Sequence, residues 1–419
     1  MAKLKGVIFG VENVLAKVGA MEPHAATLAA TGKLVKFLKC KGVESVVMTN
    51  QDWGVTNRET KVCRPMQGVV EEDWSVKLNW FQCNKDGVPA KQTAESITFV
   101  RKKMGWQANE TLFIGNTDVD MQASVNGKIL LLNAEWYEKK MEYGFGFESP
   151  REVARFIDTF CFREHFWYFQ IEDGPLRVYS LAPLGSFYDE YKYYSEDFLQ
   201  NIKNGLGRDE DFWTKFLCTS MYFSGIYECV NYIAAYPKHE EGKHQKFLVK
   251  PMTTFAKCFR ISYLQDLVVR HTTAIKSQFH RDKANHLNQL NTTYLNVAPS
   301  RIVKDVAKPY SSFPLKGGKT IVLIDDVCTR GYSFEAARTL LAKTGAKVIC
   351  VSFLKALKND YEALGSVSLP EGPFGKNTLA TATTAKVYDW KAHIVDKAAP
   401  TELTERLKRY QNWDWPEGI

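Results

Sequence analysis

The 419-residue chain lacks any uninterrupted apolar stretch of the length, roughly 18 residues, that a bilayer-spanning helix needs. A helical membrane protein is therefore not expected. It also lacks a C-x-x-C pair: its nine cysteines, at 40, 63, 83, 161, 218, 229, 258, 328 and 350, are scattered and odd in number. Neither a disulfide framework nor a cysteine zinc site is indicated. There is no H-E-x-x-H, and His239, His244, His271, His280 and His286 are spread along one stretch as surface or hydrogen-bonded residues. No repeat and no low-complexity linker occurs. The start, Met1-Ala2-Lys3-Leu4-Lys5, runs straight into Val7-Ile8-Phe9 without the shape of a signal peptide, which predicts a cytoplasmic protein. A net charge of +8 is modest and dispersed, so nucleic acid is not indicated as a partner. What is present, 45% hydrophobic and 24% charged residues, is ordinary globular composition, with length for two or three domains.

Short β-rich runs alternate with amphipathic stretches through the first 150 residues. Strands are expected at Val7–Phe9, Val43–Met48, Thr111–Ile114 and Lys128–Leu132, and helices at Leu28–Lys39 and Gln92–Met104. Such alternation predicts a parallel α/β sheet. Ser149-Pro150 marks the end of this unit, because proline biases its predecessor away from helix. Residues 160 to 236 are unusually aromatic, a density that more often builds a core or an interface than a base-stacking platform. Helices are expected at Asp197–Asn204 and Asp209–Tyr227, and α/β character returns from 230 to 360. The predicted division is 1–150, 151–375 and an accessory tail, 376–419, with a polar helix near Thr401–Tyr410 and packing through Trp413 and Trp415.

The strongest local pattern lies at 320 to 345. Thr320-Ile321-Val322-Leu323-Ile324 suits a strand buried on both faces. Asp325 and Asp326 follow, then Val327-Cys328-Thr329-Arg330-Gly331-Tyr332-Ser333, then a helical pattern through Phe334, Ala337, Leu340 and Leu341, closed by Gly345. At the carboxyl end of a parallel strand such a loop stands where ligands bind in open sheets. Its N–H groups and the hydroxyls of Thr329 and Ser333 can wrap a phosphate at a helix N-terminus, and Gly331 permits close approach. Adjacent carboxylates repel and cost desolvation unless something binds them. An acid capping the following helix would explain one; vicinal ribose hydroxyls, or a hydrated Mg²⁺ beside them, would satisfy both.

Residues 321 to 333 resemble the phosphoribosyl-pyrophosphate (PRPP) signature of type I phosphoribosyltransferases: four apolar residues, two acids, Thr, Gly, then Ser or Thr. Arg330 and Cys328 depart mildly from it. The upstream chain resembles the competence-protein-F-like (ComF-like) branch, with Val230 to Lys238 similar to the pyrophosphate strand and loop, and Lys276 to Leu290, including Gln278, Arg281, Lys283 and Asn288, similar to the polar segment that covers the site. The resemblance implies that Asp325 and Asp326 hold the ribose hydroxyls directly or through Mg²⁺. It places the 5′-phosphate on Thr329 to Ser333, with Val327 and Cys328 in the same binding loop, and the pyrophosphate on Tyr236, Pro237 and Lys238, and makes Lys238 and Arg281 candidates for stabilising the leaving group. His280-Arg281-Asp282 is not a kinase catalytic loop, since the required Asn five residues on is Leu287.

The first 150 residues resemble the haloacid dehalogenase (HAD) superfamily with its chemistry missing. After Gly6-Val7-Ile8-Phe9, Gly10 stands at the nucleophile position and Glu12 at the general-acid position. Thr49, Lys91 and Asp120 match the remaining motifs, while Asn116 replaces the other acid. Glycine has no side chain to form a phosphoaspartyl intermediate. The resemblance therefore implies two Rossmann-like parallel-sheet domains: an inactive HAD-like pseudo-phosphatase, then a Mg²⁺-dependent phosphoribosyltransferase. The partner expected is PRPP or a nucleotide-like small molecule, with a second copy or a partner protein docking through the HAD-like domain. Rival expectations are a PRPP- or nucleotide-sensing regulator without turnover, and a stress or defence effector acting on nucleotides.

Overall fold

The computed structural model describes residues 3–19, 23–57, 59–85, 87–139, 141–203, 209–275 and 285–419. Lys276, Gln278, Arg281 and Lys283 lie outside the described residues, so the expected covering segment is placed only from Asn285 onward.

The chain is a mixed α/β protein built on two sheets. The first is wholly parallel, with strands β1 (Gly6–Phe9), β2 (Glu44–Thr49), β3 (Asn79–Gln82), β4 (Thr111–Gly115), β5 (Leu130–Ala134) and β6 (Phe145–Phe147) in the spatial order β3-β2-β1-β4-β5-β6. β1, β4 and β5 are apolar without alternation and fully buried, as both-sided burial of a parallel sheet requires. The helices are α1 (Ala25–Cys40), α2 (Met66–Trp74), α3 (Ala94–Met104), α4 (Asp118–Gly127) and α5 (Pro150–Phe156). α1 packs with α2 and α5, and α3 with α4. The chain steps from β1 to β2 in one direction and from β4 to β5 in the other, and right-handed crossovers then put α1 and α4 on opposite faces. Ser149-Pro150 opens a helix: the Ser149 hydroxyl accepts from the Glu152 N–H at 3.3 Å and proline takes the first turn, where its missing N–H costs nothing.

The second sheet has eight strands: β7 (Phe169–Asp173), β8 (Leu176–Leu184), β9 (Tyr232–Ala235), β10 (Ser262–Leu264), β11 (Ser300–Val303), β12 (Val306–Pro309), β13 (Thr320–Cys328) and β14 (Lys347–Ala356). Their order is β12-β11-β10-β9-β13-β14-β8-β7. The inner five, β10-β9-β13-β14-β8, are parallel, and β7, β11 and β12 add antiparallel edges. Its helices are α6 (Asp189–Phe198), α7 (Glu210–Phe223), α8 (Lys246–Cys258), α9 (His286–Leu290), α10 (Tyr332–Ala342) and α11 (Ala399–Gln411).

The helix expected to reach Tyr227 ends at Phe223, and two further boundaries differ from the sequence expectation for a clear reason. The helix expected from Asp197 begins at Asp189, because Tyr191, Tyr194 and Phe198 recur at helical spacing and Asp189 and Glu190 favour a first turn; a π turn, 199–203, follows. The strand expected to stop at Ile324 continues through both acids to Cys328, held by β14 through the Asp325–Ser352 and Cys328–Lys355 register pairs.

The aromatic stretch is core. One buried apolar cluster runs continuously from Leu4 and Phe9 through Phe160, Trp213 and Tyr222 to Leu407 and Trp413. Tyr222, fully buried on α7, donates to the carbonyls of Ala108 and Thr111 at 2.6 Å, tying α7 to the start of β4. The Trp413 indole donates to Asp158 Oδ2 at 3.0 Å, and Trp415 packs on Phe37, fastening the tail onto the body. No helix among the described residues is long and apolar enough to cross a membrane.

Candidate functional site at the carboxyl edges of the two sheets

Each sheet has a point where successive crossovers diverge, and ligands of open α/β sheets bind in the crevice there. In the first sheet it lies between β1 and β4. In the second it lies between β9, whose chain crosses to β10, and β13, whose chain crosses to β14. The motifs singled out from the sequence fall on these two points.

At the first, the space above β1 is filled from within. The Lys91 ammonium forms an ion pair with Asp120, and both residues are at least 94% buried. Asp120 Oδ2 also accepts the Asn116 and Thr117 N–H groups at 3.0 and 3.1 Å, so it caps α4. Asn116 is committed elsewhere, its amide donating to Asn133 Oδ1 and the Glu138 carbonyl at 3.0 Å. Thr49 closes on its own turn through the Gln51 backbone. A Cβ at Gly10 would lie 2.8 Å from Asp120 Oδ1, so the packing leaves no room for a side chain there. The Trp136 indole and Tyr137 hydroxyl donate to the Val14 and Leu15 carbonyls and tie down the loop after β1. These residues do not fit a divalent cation. A lysine ammonium holds the one remaining acid, Gly10 supplies no ligand, and Mg²⁺ wants several hard oxygens.

At the second point there is a small cleft of about 30 Å³, open on one side to solvent. Of the expected residues, Asp325, Val327, Cys328, Thr329, Gly331, Tyr332 and Ser333 line it. Asp326 and Arg330 do not. Asp326 Oδ1 accepts the Val327 N–H at 2.6 Å, and Arg330 turns to Glu362, 3.0 Å away, where the Tyr332 hydroxyl also donates. Gly331 is the N-cap of α10 at φ +83°, with the Tyr361 ring where a Cβ would stand, 2.1 Å off. No side chain caps α10, so its first-turn N–H groups are left toward the cleft. The Cys328 thiol is buried, its pKa pushed up to about 11 by desolvation, so it is no nucleophile.

Tyr236, Pro237 and Lys238 follow β9 beside this loop, the Tyr236 N–H donating to the Ile324 carbonyl at 2.8 Å. Tyr236 and Pro237 are buried and Lys238 is exposed. Burial raises the Tyr236 phenol, which keeps its proton and donates to Gln289 Oε1 at 2.9 Å.

Three neighbours escaped sequence reasoning. Gln289 lines the cleft. Lys355 is fully buried on β14 and donates to the Thr329 and Asn359 carbonyls at 2.5 Å; burial pulls its ammonium pKa down. A trans peptide sets C=O and N–H on opposite sides, so turning the Thr329 carbonyl inward turns the Arg330 N–H outward. The visible signal was a lysine ending the apolar run Cys350–Leu354. His286, 4% exposed, stacks edge-on to Tyr332 with ring centroids 4.6 Å apart, and burial lowers its pKa.

No family model matches the chain, and no curated protein matches it. Among solved structures it is similar to the cobalt-bound deoxy-D-mannose-octulosonate 8-phosphate phosphatase of Haemophilus influenzae (18% identity, 31% of this chain and 68% of that one, TM-score 0.23). It is also similar to a HAD-superfamily hydrolase, subfamily IA, of Geobacter sulfurreducens (14%, 36% and 97%, 0.24), and to 4-nitrophenylphosphatase of Thermotoga maritima (9%, 36% and 97%, 0.23).

Proposed function

We propose that the second sheet carries a PRPP site of the type I phosphoribosyltransferase kind, and that the first is a HAD-like domain without phosphatase chemistry. One observation carries the first reading: the loop 325–333 lies at the divergence point of a parallel sheet and lines a cleft with a glycine-started, uncapped helix N-terminus. The second is supported by Gly10 and by the internal Lys91–Asp120 pair.

In this reading the N–H groups of Gly331 to Ser333 and the hydroxyls of Thr329 and Ser333 hold a 5′-phosphate. Asp325 holds a ribose hydroxyl from the cleft wall, and Asp326 stands behind it, shaping the loop through the Val327 N–H. The loop Tyr236–Lys238 offers Lys238 to the pyrophosphate. Mg²⁺ fits here, because it commonly takes one or two carboxylates together with substrate phosphate oxygens, and Asp325 supplies such a donor. Bound, it would neutralise charge on departing pyrophosphate. The chain's part is orientation: Lys355 and Gly331 fix the loop before ligand arrives, so little reorganisation is left for the transition state, where the sugar gains positive character.

The test is calorimetric titration of PRPP with Mg²⁺ into the wild type and an Asp325→Asn/Asp326→Asn double variant. Micromolar binding that the double variant loses is expected. No binding to folded wild type would overturn the PRPP reading.

A further inference from the structure

We propose that Gln289 is a phosphate-binding side chain of the cleft at α10, its Nε2 presented to the ligand by a buried clamp of Arg270 and Tyr236. This rests on the reading of that cleft as an anion site.

Arg270 is 2% exposed, and its guanidinium reaches three acceptors on two segments, the loop after β9 and α9 with the turn that follows it. Nε donates to the Lys238 carbonyl at 2.7 Å, Nη1 to Thr292 Oγ1 at 2.6 Å, and Nη2 to Gln289 Oε1 at 2.9 Å. All three acceptors are neutral, an unusual state for a buried cation. The Tyr236 hydroxyl bonds the same Oε1 at 2.9 Å. A guanidinium has donors and no acceptor, so the amide atom facing Arg270 must be oxygen, which settles the orientation that an amide otherwise leaves ambiguous. The amide nitrogen then lies on the side away from the clamp, in a residue that lines the cleft with Gly331, Tyr332 and Ser333.

The cleft thus gathers donors: an amide NH₂ on one wall and first-turn helix N–H groups on the other. Several converging donors are satisfied together by an anion with several oxygens, and the buried guanidinium behind Gln289 adds positive charge in a region of low dielectric. The same guanidinium holds the Lys238 carbonyl. The phosphate wall and the loop after β9 are therefore braced by one residue, which makes Arg270 a positioning residue for both.

Ribose 5-phosphate, titrated calorimetrically without metal into the full chain, is the probe. Gln289→Glu keeps an oxygen for Arg270 and Tyr236 but turns the donor into a second carboxylate oxygen. An unchanged melting temperature and an affinity loss of at least tenfold are expected; wild-type affinity in this variant would overturn the role of Gln289. Failure of the wild type to bind ribose 5-phosphate would instead overturn the reading of the cleft itself. Arg270→Lys retains charge but cannot span three acceptors. Its loss of affinity should appear with Gln289 present and vanish in a Gln289→Leu background; equal losses in both would leave Arg270 a structural residue and overturn the clamp.

Discussion

The two sheets solve the same topological problem in opposite ways. Each opens a crevice where its crossovers diverge, and each puts a strand–loop–helix there. Above β1 the space is filled by the chain's own groups: Asp120 stands 2.8 Å from where a Gly10 Cβ would be, and Lys91 neutralises it. Above β13, glycine also sits in the loop, yet the space above Gly331 to Ser333 remains open. The difference is where the compensating charge goes. In the first sheet the cation is an internal lysine aimed into the crevice. In the second, Lys355 and Arg270 are bonded to carbonyls and an amide and do not fill the crevice. A parallel sheet supplies the crevice; in the proposed reading, which side of the loop the cation stands on decides whether it is a site.

The largest test of this contrast is Lys91→Met. Removing one partner of a buried pair typically costs about 3–5 kcal/mol because the other charge stays buried. Denaturant unfolding should show a loss of that size, with part of it recovered in Lys91→Met/Asp120→Asn. A loss under about 0.5 kcal/mol, the range of ordinary surface substitutions, would mean that the pair does not hold the first crevice closed. Next come the two glycines. Gly331→Ala drives a Cβ into the Tyr361 ring at positive φ, costs about 1–3 kcal/mol and should abolish ribose 5-phosphate binding. Gly10→Ala should cost similar stability through the Asp120 carboxylate and leave that binding intact; loss of binding in both would erase the distinction between the sheets. Gly10→Asp should give no phosphatase turnover with 4-nitrophenyl phosphate, since the new carboxylate meets Asp120 and no metal shell forms. Lys355→Met should weaken ribose 5-phosphate about tenfold by releasing the Thr329 carbonyl, about one charge-assisted hydrogen bond in free energy; unchanged affinity would show that the loop holds its shape alone.

A last effect lies away from both crevices. The Asp197 carboxyl is pushed up to about 6, first by burial, even though the Trp213 indole donates to it at 2.6 Å. Its folded value stands above the unfolded one of about 3.9. The stability it contributes is therefore fully present below pH 4 and is lost as pH rises through 6. Asp197→Asn, which can still accept from Trp213, should be more stable than wild type at pH 8 and equal to it at pH 4. Equal melting at both would show that Asp197 ionises normally.

Much of this was legible in the chain. Continuous apolar runs ending in polar loops reported β1, β4 and β13, because both-sided burial leaves no polar position in such strands. The pattern from Ile321 to Ser333 reported a strand, a loop and the start of α10. Less legible were residues whose role depends on a neighbour far off in sequence. Gln289 is an unremarkable polar residue until Arg270 and Tyr236 converge on its oxygen from 19 and 53 positions away. The aromatic run likewise concealed α6, because composition masks the 3-and-4 spacing of Tyr191, Tyr194 and Phe198.

The sequence by itself determined β1, β4, β13 and the loops that follow them, and the absence of a carboxylate at residue 10, because these are properties of local pattern and covalent identity. Only the tertiary structure decided that Asp325 lines the cleft and Asp326 does not, although each accepts the backbone N–H of the residue after it, and that Lys91 pairs with Asp120 while Lys355 and Arg270 bond carbonyls and an amide. The physical reason is that a buried charge is placed by whatever acceptors surround it, and those acceptors are assembled only when strands distant in the chain lie side by side.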